Sequence, residues 1–143
     1  MAFVATRRDR FTSTKKQTVY YSDFPASMEK VAGSEELYKF ENVDAVKNSI
    51  RNIILTNRGE RFFNYDFGCD VRTMLFENIE PSTESAIKSF IETAITNFEP
   101  RAKLINTIVS GQPEINAYTV TIVFSTINSA EPQVLDLILT RVR

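Results

Sequence analysis

Five acidic residues in the middle of the chain are the side chains whose types and spacing could do chemistry: Asp66, Asp70, Glu77, Glu80 and Glu84. Glycoside hydrolysis needs only two carboxylates that face each other across a cleft, so these residues are candidates for the catalytic pair of a glycoside hydrolase. Most of them also lie where a helix start favours negative charge. A glycoside hydrolase is therefore one candidate function of this protein. A non-enzymatic, structural role is the other candidate.

Other catalytic chemistry has little support in the sequence. The chain contains no histidine, which removes the commonest general base and the commonest metal ligand. Cys69 has no imidazole partner, so we expect its thiol to stay protonated and to act as a small buried side chain. The four glycines form no phosphate-binding loop. We predict no catalytic residue, no metal and no cofactor.

Composition indicates one ordinary domain. The chain has 143 residues, of which 43% are hydrophobic, enough for a single core. Its 17 basic and 18 acidic residues give a net charge of −1, so we expect no nucleic-acid partner. A single cysteine fits a reducing compartment. No apolar run approaches the length of a membrane span, and we expect a soluble product.

Two segments have the periodicity of amphipathic helices. In residues 42–56 one apolar stripe recurs at spacings of three and four, formed by Val43, Val46, Ile50, Ile53 and Ile54. A second helix is predicted to begin near Pro81 or Ser82. Its core face comprises Ile87, Phe90, Ile91, Ala94, Ile95 and Phe98. Both helices should cover one hydrophobic core.

The segment between these helices, residues 60–70, carries four aromatic side chains. Aromatic rings usually need shelter from water, so we expect the segment to lie extended against the core. Asp70 should then cap a short helix that runs to about Phe76, because a carboxylate can accept hydrogen bonds from the first backbone N–H groups.

After the second helix the apolar period changes from about 3.6 to 2. Residues 104–110, 117–127 and 134–142 are predicted to form an antiparallel three-stranded meander, with loops at 111–114 and 128–132. Helices followed by strands indicate an α+β fold, with two amphipathic helices packed on the C-terminal sheet. Residues 1–40 show no persistent period, and we interpret them as an extended N-terminal arm on a single domain of residues 41–143.

Glu99-Pro100-Arg101 closes the second helix. The proline ring removes a backbone donor and disfavours helical geometry in the residue before it, so the helix must stop here. Two opposite charges are thereby held beside a rigid turn, which we call the corner (residues 99–101). A helix stop with incidental charges is the simpler interpretation of the same pattern.

Several ordered motifs together resemble one known family. They are residues 52–56 (NIILT), Arg58-Gly59-Glu60-Arg61, residues 66–70 (DFGCD), residues 75–78 (LFEN), and the corner, and Tyr21-Ser22-Asp23-Phe24 in the arm is also similar. The sequence from about residue 20 to 143 resembles the small baseplate wedge protein of contractile-tailed phages, the family of gene product twenty-five of the T-even phages. Type VI secretion systems have a related small baseplate subunit. Residues before about 18 have no match in this resemblance.

The resemblance implies a structural subunit in the virion's tail baseplate, made in the host cytoplasm. In the family, the corner residues dock on the larger wedge proteins, so Glu99, Pro100 and Arg101 become the predicted partner-binding residues, with both charges turned outward. The resemblance also implies that an edge of the meander accepts a strand from the first ring of the tail sheath. Candidate positions are Ile105, Thr107, Val109, Leu137, Leu139 and Arg141. Tube or hub proteins are further candidate partners. Older descriptions of the family invoke lysozyme, but nothing in this sequence indicates two environments that would give two carboxylates separate acid and base roles. The residues therefore do not support that label, and a peptidoglycan-cleaving, lysozyme-like tail enzyme is only the alternative.

Overall fold

A computed structural model describes residues 18–25, 27–31, 33 and 35–140. The elements in chain order are strands β1 (Ser22–Asp23) and β2 (Phe40–Glu41), helices α1 (Val43–Leu55), α2 (Val71–Met74) and α3 (Pro81–Phe98), and strands β3 (Ala102–Gln112), β4 (Ala117–Thr126) and β5 (Ser129–Thr140). A 3₁₀ turn, Pro113–Ile115, connects β3 to β4. The predicted α+β class is confirmed.

The C-terminal sheet is the predicted antiparallel meander, with order β3-β4-β5. Its central strand alternates strictly, so that Tyr118, Val120, Ile122 and Phe124 face the core. Across this face, Leu135, Leu137 and Leu139 of β5 pair with Ile122, Val120 and Tyr118. Both β3 and β5 are edges of the described sheet.

The two long helices supply the other half of the core. Buried side chains of α1 are Ala45, Val46, Ile50, Ile53 and Ile54, and those of α3 include Ile87, Ile91, Ala94 and Ile95. The predicted stripe is therefore confirmed in both helices, except that Val43 is only half-buried. Phe90 and Phe98 are partly buried against the same core. Pro81 occupies the first turn of α3, where its missing N–H costs nothing. No helix in the described residues has the length and apolarity that crossing a bilayer requires.

The second hairpin differs from the prediction. Strand β5 begins at Ser129 and not at residue 134, because only Ile127 and Asn128 form the turn. Pro132 lies inside this strand, next to a register irregularity opposite Phe124 and Thr126. A proline is tolerated there because the strand is at an edge, where a backbone donor can be dispensed with. Residues 141–143, the end of the predicted strand, lie outside the described residues.

The prediction for the segment between α1 and α2 is wrong in its main point. Of its aromatic side chains only Phe67 is sheltered, against Phe98 at 5.2 Å between ring centroids. Phe62 and Phe63 are 81% and 101% exposed, and Tyr65 is exposed as well. The burial of aromatics is an average tendency, which the local backbone overrides here.

The short helix α2 occurs where it was predicted, but Asp70 does not cap it. Its carboxylate makes no hydrogen bond to the free N–H groups of the helix. It forms an ion pair with Arg58 instead, at 3.4 Å.

Of the N-terminal arm, the part before Thr18 lies outside the described residues. Asn42 holds the described part: its side-chain oxygen accepts the backbone N–H of Tyr20 at 2.8 Å, and its amide donates to the Thr18 carbonyl. Further along, Asn48 donates to the Asp23 carboxylate at 2.8 Å, and β1 pairs with β2. This stretch of the arm therefore lies along α1.

Candidate functional site

The corner forms the direct connection between α3 and β3. Glu99 ends the helix, with its N–H donating to the Ile95 carbonyl at 2.9 Å. The N–H of Ala102 then donates to the Glu99 carbonyl at 3.1 Å, which closes a tight turn around the exposed Pro100. The carbonyl of Arg101 accepts the N–H of Ile127, so the corner also fixes the β4–β5 turn. Three backbone hydrogen bonds thus fix the conformation of the corner.

Glu99 and Arg101 form a bidentate ion pair within the chain. Nε of Arg101 donates to Oε1 at 2.6 Å, and its second terminal nitrogen donates to Oε2 at 2.8 Å. Two parallel bonds between a planar guanidinium and a carboxylate are the strongest common form of charge-assisted hydrogen bonding. The residue Glu99 is only 1% exposed, whereas 35% of the Arg101 side chain reaches solvent.

The expectation that both charges turn outward is therefore wrong for the carboxylate. Glu99 points into the protein, where Ser49 of α1 is a second hydrogen-bonding neighbour. Sequence spacing could not reveal this direction, because Ser49 is fifty positions away. Only Pro100 and part of the Arg101 guanidinium face outward.

The charge state of the pair follows from its surroundings. Burial alone would raise the pKa of Glu99, but hydrogen bonds from Arg101 and Ser49 and the positive charge of Arg101 together hold that pKa below its ordinary value. The hydrogen bond to Glu99 in turn raises the pKa of Arg101 further, against the opposing effect of burial. Both groups are therefore ionised at neutral pH.

Tyr21 of the arm completes the site, through a contact that no spacing rule could predict. The Arg101 guanidinium carbon lies 5.2 Å from the centroid of the Tyr21 ring, within the range of a cation–π interaction. Tyr21 itself packs against the core. The guanidinium is thus held between a carboxylate and an aromatic face, which fixes its direction.

Part of the other predicted chemistry has structural roles. Burial raises the pKa of Cys69 to about 11, so the thiol is protonated as expected. Glu84 accepts the backbone N–H of Gly111 at 2.7 Å, and Asp70 pairs with Arg58, so two of the five candidate carboxylates have structural partners. No group of three or more Cys, Asp or Glu side chains in the described residues could hold a metal ion.

The candidate strand positions differ in exposure. Thr107, Leu137 and Leu139 are buried on the core face, Val109 is half-buried, and Ile105 is exposed at the irregularity in β3. Arg141 lies outside the described residues. An added strand would therefore meet the backbone of an edge and not most of these side chains.

Comparison with known proteins identifies the family of this chain. The sequence profile of the family described as baseplate wedge protein gp25 matches residues 41–131, which is more than half of the chain. The chain belongs to the gp25 family of baseplate wedge proteins. The resemblance inferred from the motifs is thereby confirmed.

Within the gp25 family, the chain is 38% identical to the baseplate wedge protein gp25 of Enterobacteria phage T4 over 81 residues. That alignment spans 57% of this chain and 61% of the T4 protein. The corner and the Arg58-Gly59-Glu60-Arg61 motif both lie inside the family match.

Two solved structures have the same fold. A protein of Geobacter sulfurreducens that carries the provisional name tail lysozyme is 26% identical, with a TM-score of 0.61 over 67% of this chain and 88% of that one. A chain in the baseplate of the anti-feeding prophage is 20% identical, with a TM-score of 0.59 over 85% and 87% of the two chains. The second likeness concerns the fold alone.

Proposed function

We propose that this protein is a non-enzymatic structural subunit of a contractile-tail baseplate wedge and that it docks on the larger wedge proteins through the corner. The observation that carries the proposal is the bidentate pair of Glu99 and Arg101 beside an exposed proline at a helix exit. Family membership supports a place in the tail baseplate of a virion.

In this proposal the three corner residues have unequal roles. Glu99 is buried and positions the guanidinium, while Arg101 and Pro100 contact the partner. Two N–H groups of Arg101 bind Glu99, and the remaining donors are directed away from that carboxylate. A fixed guanidinium loses little conformational entropy on binding, so it suits recognition of carboxylate or carbonyl oxygens on a neighbouring subunit.

The test separates docking from folding. Arg101→Lys keeps a positive charge beside Glu99 but removes the planar fork, and Pro100→Ala removes the exposed ring. We expect both variants to remain folded and to lose co-purification with the larger wedge proteins by tenfold or more. Pro113→Ala, at another exposed proline, is the matched control. Undiminished co-purification of both corner variants would contradict the proposal.

We further propose that the edge of β5 accepts a strand from the first sheath ring. Residues 134–140 of β5 form an uninterrupted edge that carries a single charged residue, Asp136, and edge strands without protective charges are sites for strand addition. A cavity of about 280 Å³ flanks the end of this edge, and Ile54, Val71, Leu75 and Leu139 line it. The cavity could receive apolar side chains of the added strand.

The other edge is less open near its end. Each edge strand has one register irregularity, in β3 between Leu104 and Asn106 and in β5 opposite Phe124 and Thr126, so this feature does not distinguish them. In β3, however, the backbone N–H of Gly111 is already bound by Glu84. This contact favours β5 over β3 as the docking edge.

A pair of lysine substitutions distinguishes the edges. Ile138 and Ile108 are 66% and 52% exposed on the outer face of β5 and β3, respectively. A lysine on an edge strand discourages strand pairing and should leave the isolated fold almost unchanged. We expect Ile138→Lys to prevent sheath attachment to assembled baseplates and Ile108→Lys to permit it. The reverse result would move the docking edge to β3, and attachment in both variants would exclude strand addition.

A cell-wall assay tests the absence of enzymatic activity. The turbidity of a suspension of bacterial cell walls should stay constant when the purified protein is added. Activity that appears and is then lost in Glu77→Gln or Glu80→Gln would contradict the structural role.

A further inference from the structure

The loop between α1 and α2, residues 58–68, is a rigid projection that carries exposed aromatic side chains; we call it the aromatic loop. Its backbone is closed by hydrogen bonds from Gly59 N–H to the Tyr65 carbonyl at 2.8 Å and from Phe67 N–H to the Asn64 carbonyl at 3.3 Å. At its base, Cys69 N–H donates to the Thr56 carbonyl at 2.9 Å. The exposed rings are thus presented on a defined backbone.

Phe63 has an unusual backbone conformation. Its φ is 66°, in the left-handed region that a bulky side chain rarely adopts, and its ring is fully exposed. Folding of the isolated chain gains nothing visible from this ring. Strained residues that persist despite their cost concentrate at functional sites. Exposed, preordered aromatic rings are also typical anchors of protein interfaces, because they bury a large area with little loss of conformational entropy.

The neighbouring Arg61 is fixed in direction but has unused donors. Its guanidinium carbon lies 4.5 Å from the centroid of the Phe67 ring, so the planar group is held by a cation–π contact. Within the described part of the chain, this guanidinium makes no hydrogen bond and no ion pair. A held guanidinium with free donors is suited to bidentate binding of a carboxylate.

Arg61 lines a groove of about 540 Å³ beside α1, together with Asn52, Leu55 and Phe67. Two acidic residues also line the groove, but both are already bound within the chain. Glu60 accepts the N–H of Asn57 at 2.9 Å, and Asp23 accepts the amide of Asn48 at 2.8 Å. Both carboxylates keep their negative charge, but their oxygens accept hydrogen bonds within the chain and neither pairs with Arg61. Among the described residues that line the groove, Arg61 is the charged side chain without a bonded partner.

We propose that the aromatic loop is a second docking surface, which binds a neighbouring tail protein that presents an Asp or Glu side chain flanked by apolar residues. The carboxylate enters the groove and pairs with Arg61, while the apolar residues cover Phe62 and Phe63. That the partner is a tail protein rests on the proposed function. The aromatic loop itself is a different surface from the corner.

The test places the photo-crosslinking residue p-benzoylphenylalanine at position 63, or at the exposed Lys103 beside the corner, in assembled tails. We expect position 63 to cross-link to another tail protein at an apolar segment that contains Asp or Glu. If both substituted chains are incorporated and position 103 cross-links but position 63 does not, the aromatic loop is not an interface. If the unsubstituted chain is not incorporated into tails at all, the proposed function itself has failed.

Charge reversal then tests the chemistry. Arg61→Glu should reduce incorporation into tails at least tenfold, and replacing the cross-linked partner carboxylate by Lys should restore it. Arg51→Glu, at an exposed arginine on α1, is the control and should incorporate normally. Normal incorporation of Arg61→Glu, or the absence of rescue by the reversed partner, would overturn the proposal.

Discussion

Arg101 of the corner and Arg61 of the aromatic loop are used in different ways. Two N–H groups of Arg101 bind the buried carboxylate of Glu99 within the chain. Arg61 rests on the Phe67 ring and offers its donors to solvent. The first group contributes to the stability of the isolated protein, whereas the second contributes little until a partner arrives. The corner therefore combines folding with the proposed docking, whereas the aromatic loop is expected to serve recognition alone, and substitutions at each should change the stability of the isolated chain by different amounts.

The largest expected effect is that of Arg101→Ala on the isolated chain. Removing the arginine leaves the Glu99 carboxylate buried without its charged partner, which should lower the free energy of unfolding by about 3 kcal/mol. Arg61→Ala, the matched change in the aromatic loop, should stay within about 0.5 kcal/mol of the parent. Urea denaturation of both variants measures the difference. Equal losses of unfolding free energy would contradict the different roles assigned to the two arginines.

The glycines that shape the backbone of the aromatic loop should be the next most sensitive positions to substitution. At Gly68, which has a φ of 121°, an added Cβ would lie 2.5 Å from the Thr56 carbonyl oxygen. Gly68→Ala should therefore cost about 2–3 kcal/mol through overpacking, in addition to backbone strain. Gly59 has a φ of 83° but open space around it, so Gly59→Ala should cost about 1–2 kcal/mol from strain alone. Thermal unfolding of the pair measures both, and a milder effect at Gly68 would show that the loop backbone can yield.

The elements that the sequence predicted correctly depend on local rules. The apolar stripe of α3 and its limits at Pro81 and Pro100 follow from periodicity and from the missing proline donor, and both appear in the structure. The alternation in β4 likewise defines which face is buried. These features involve residues that are neighbours in the chain, so one sequence was enough to predict them.

The features that could not be predicted depend on distant contacts. The inward direction of Glu99 requires Ser49 on α1, and the position of Arg101 requires Tyr21 in the arm. No spacing rule connects these residues. The exposure of Phe62 and Phe63 was missed for a different reason, since hydrophobic patterning assumes that every ring seeks the core of its own chain. A protein that completes its interfaces in an assembly breaks that assumption.

Acid pH should distinguish the corner from the aromatic loop by a smaller effect. Because the pKa of Glu99 lies below its ordinary value of 4.5, its ion pair stabilises the fold fully above that pH. The contribution is lost as the pH falls through the lower pKa of the folded state. Glu99→Gln should therefore flatten this part of the stability profile, measured by denaturation between neutral and acid pH, whereas Arg61→Gln should leave it unchanged. A profile that Glu99→Gln does not alter would contradict the assignment.

The smallest effect on stability is expected at Phe63, where the sign is informative. Asparagine tolerates the left-handed region better than phenylalanine does, and the fully exposed ring makes no packing contribution to lose. Phe63→Asn should therefore leave the free energy of unfolding unchanged or raise it by up to about 1 kcal/mol. Phe67→Asn, which removes the contacts with Phe98 and Arg61, should lower it. Denaturation curves of the two variants test this, because a ring at position 63 that served folding would produce a loss in both. A neutral or stabilising result at position 63 would mean that the conformational cost is retained for recognition.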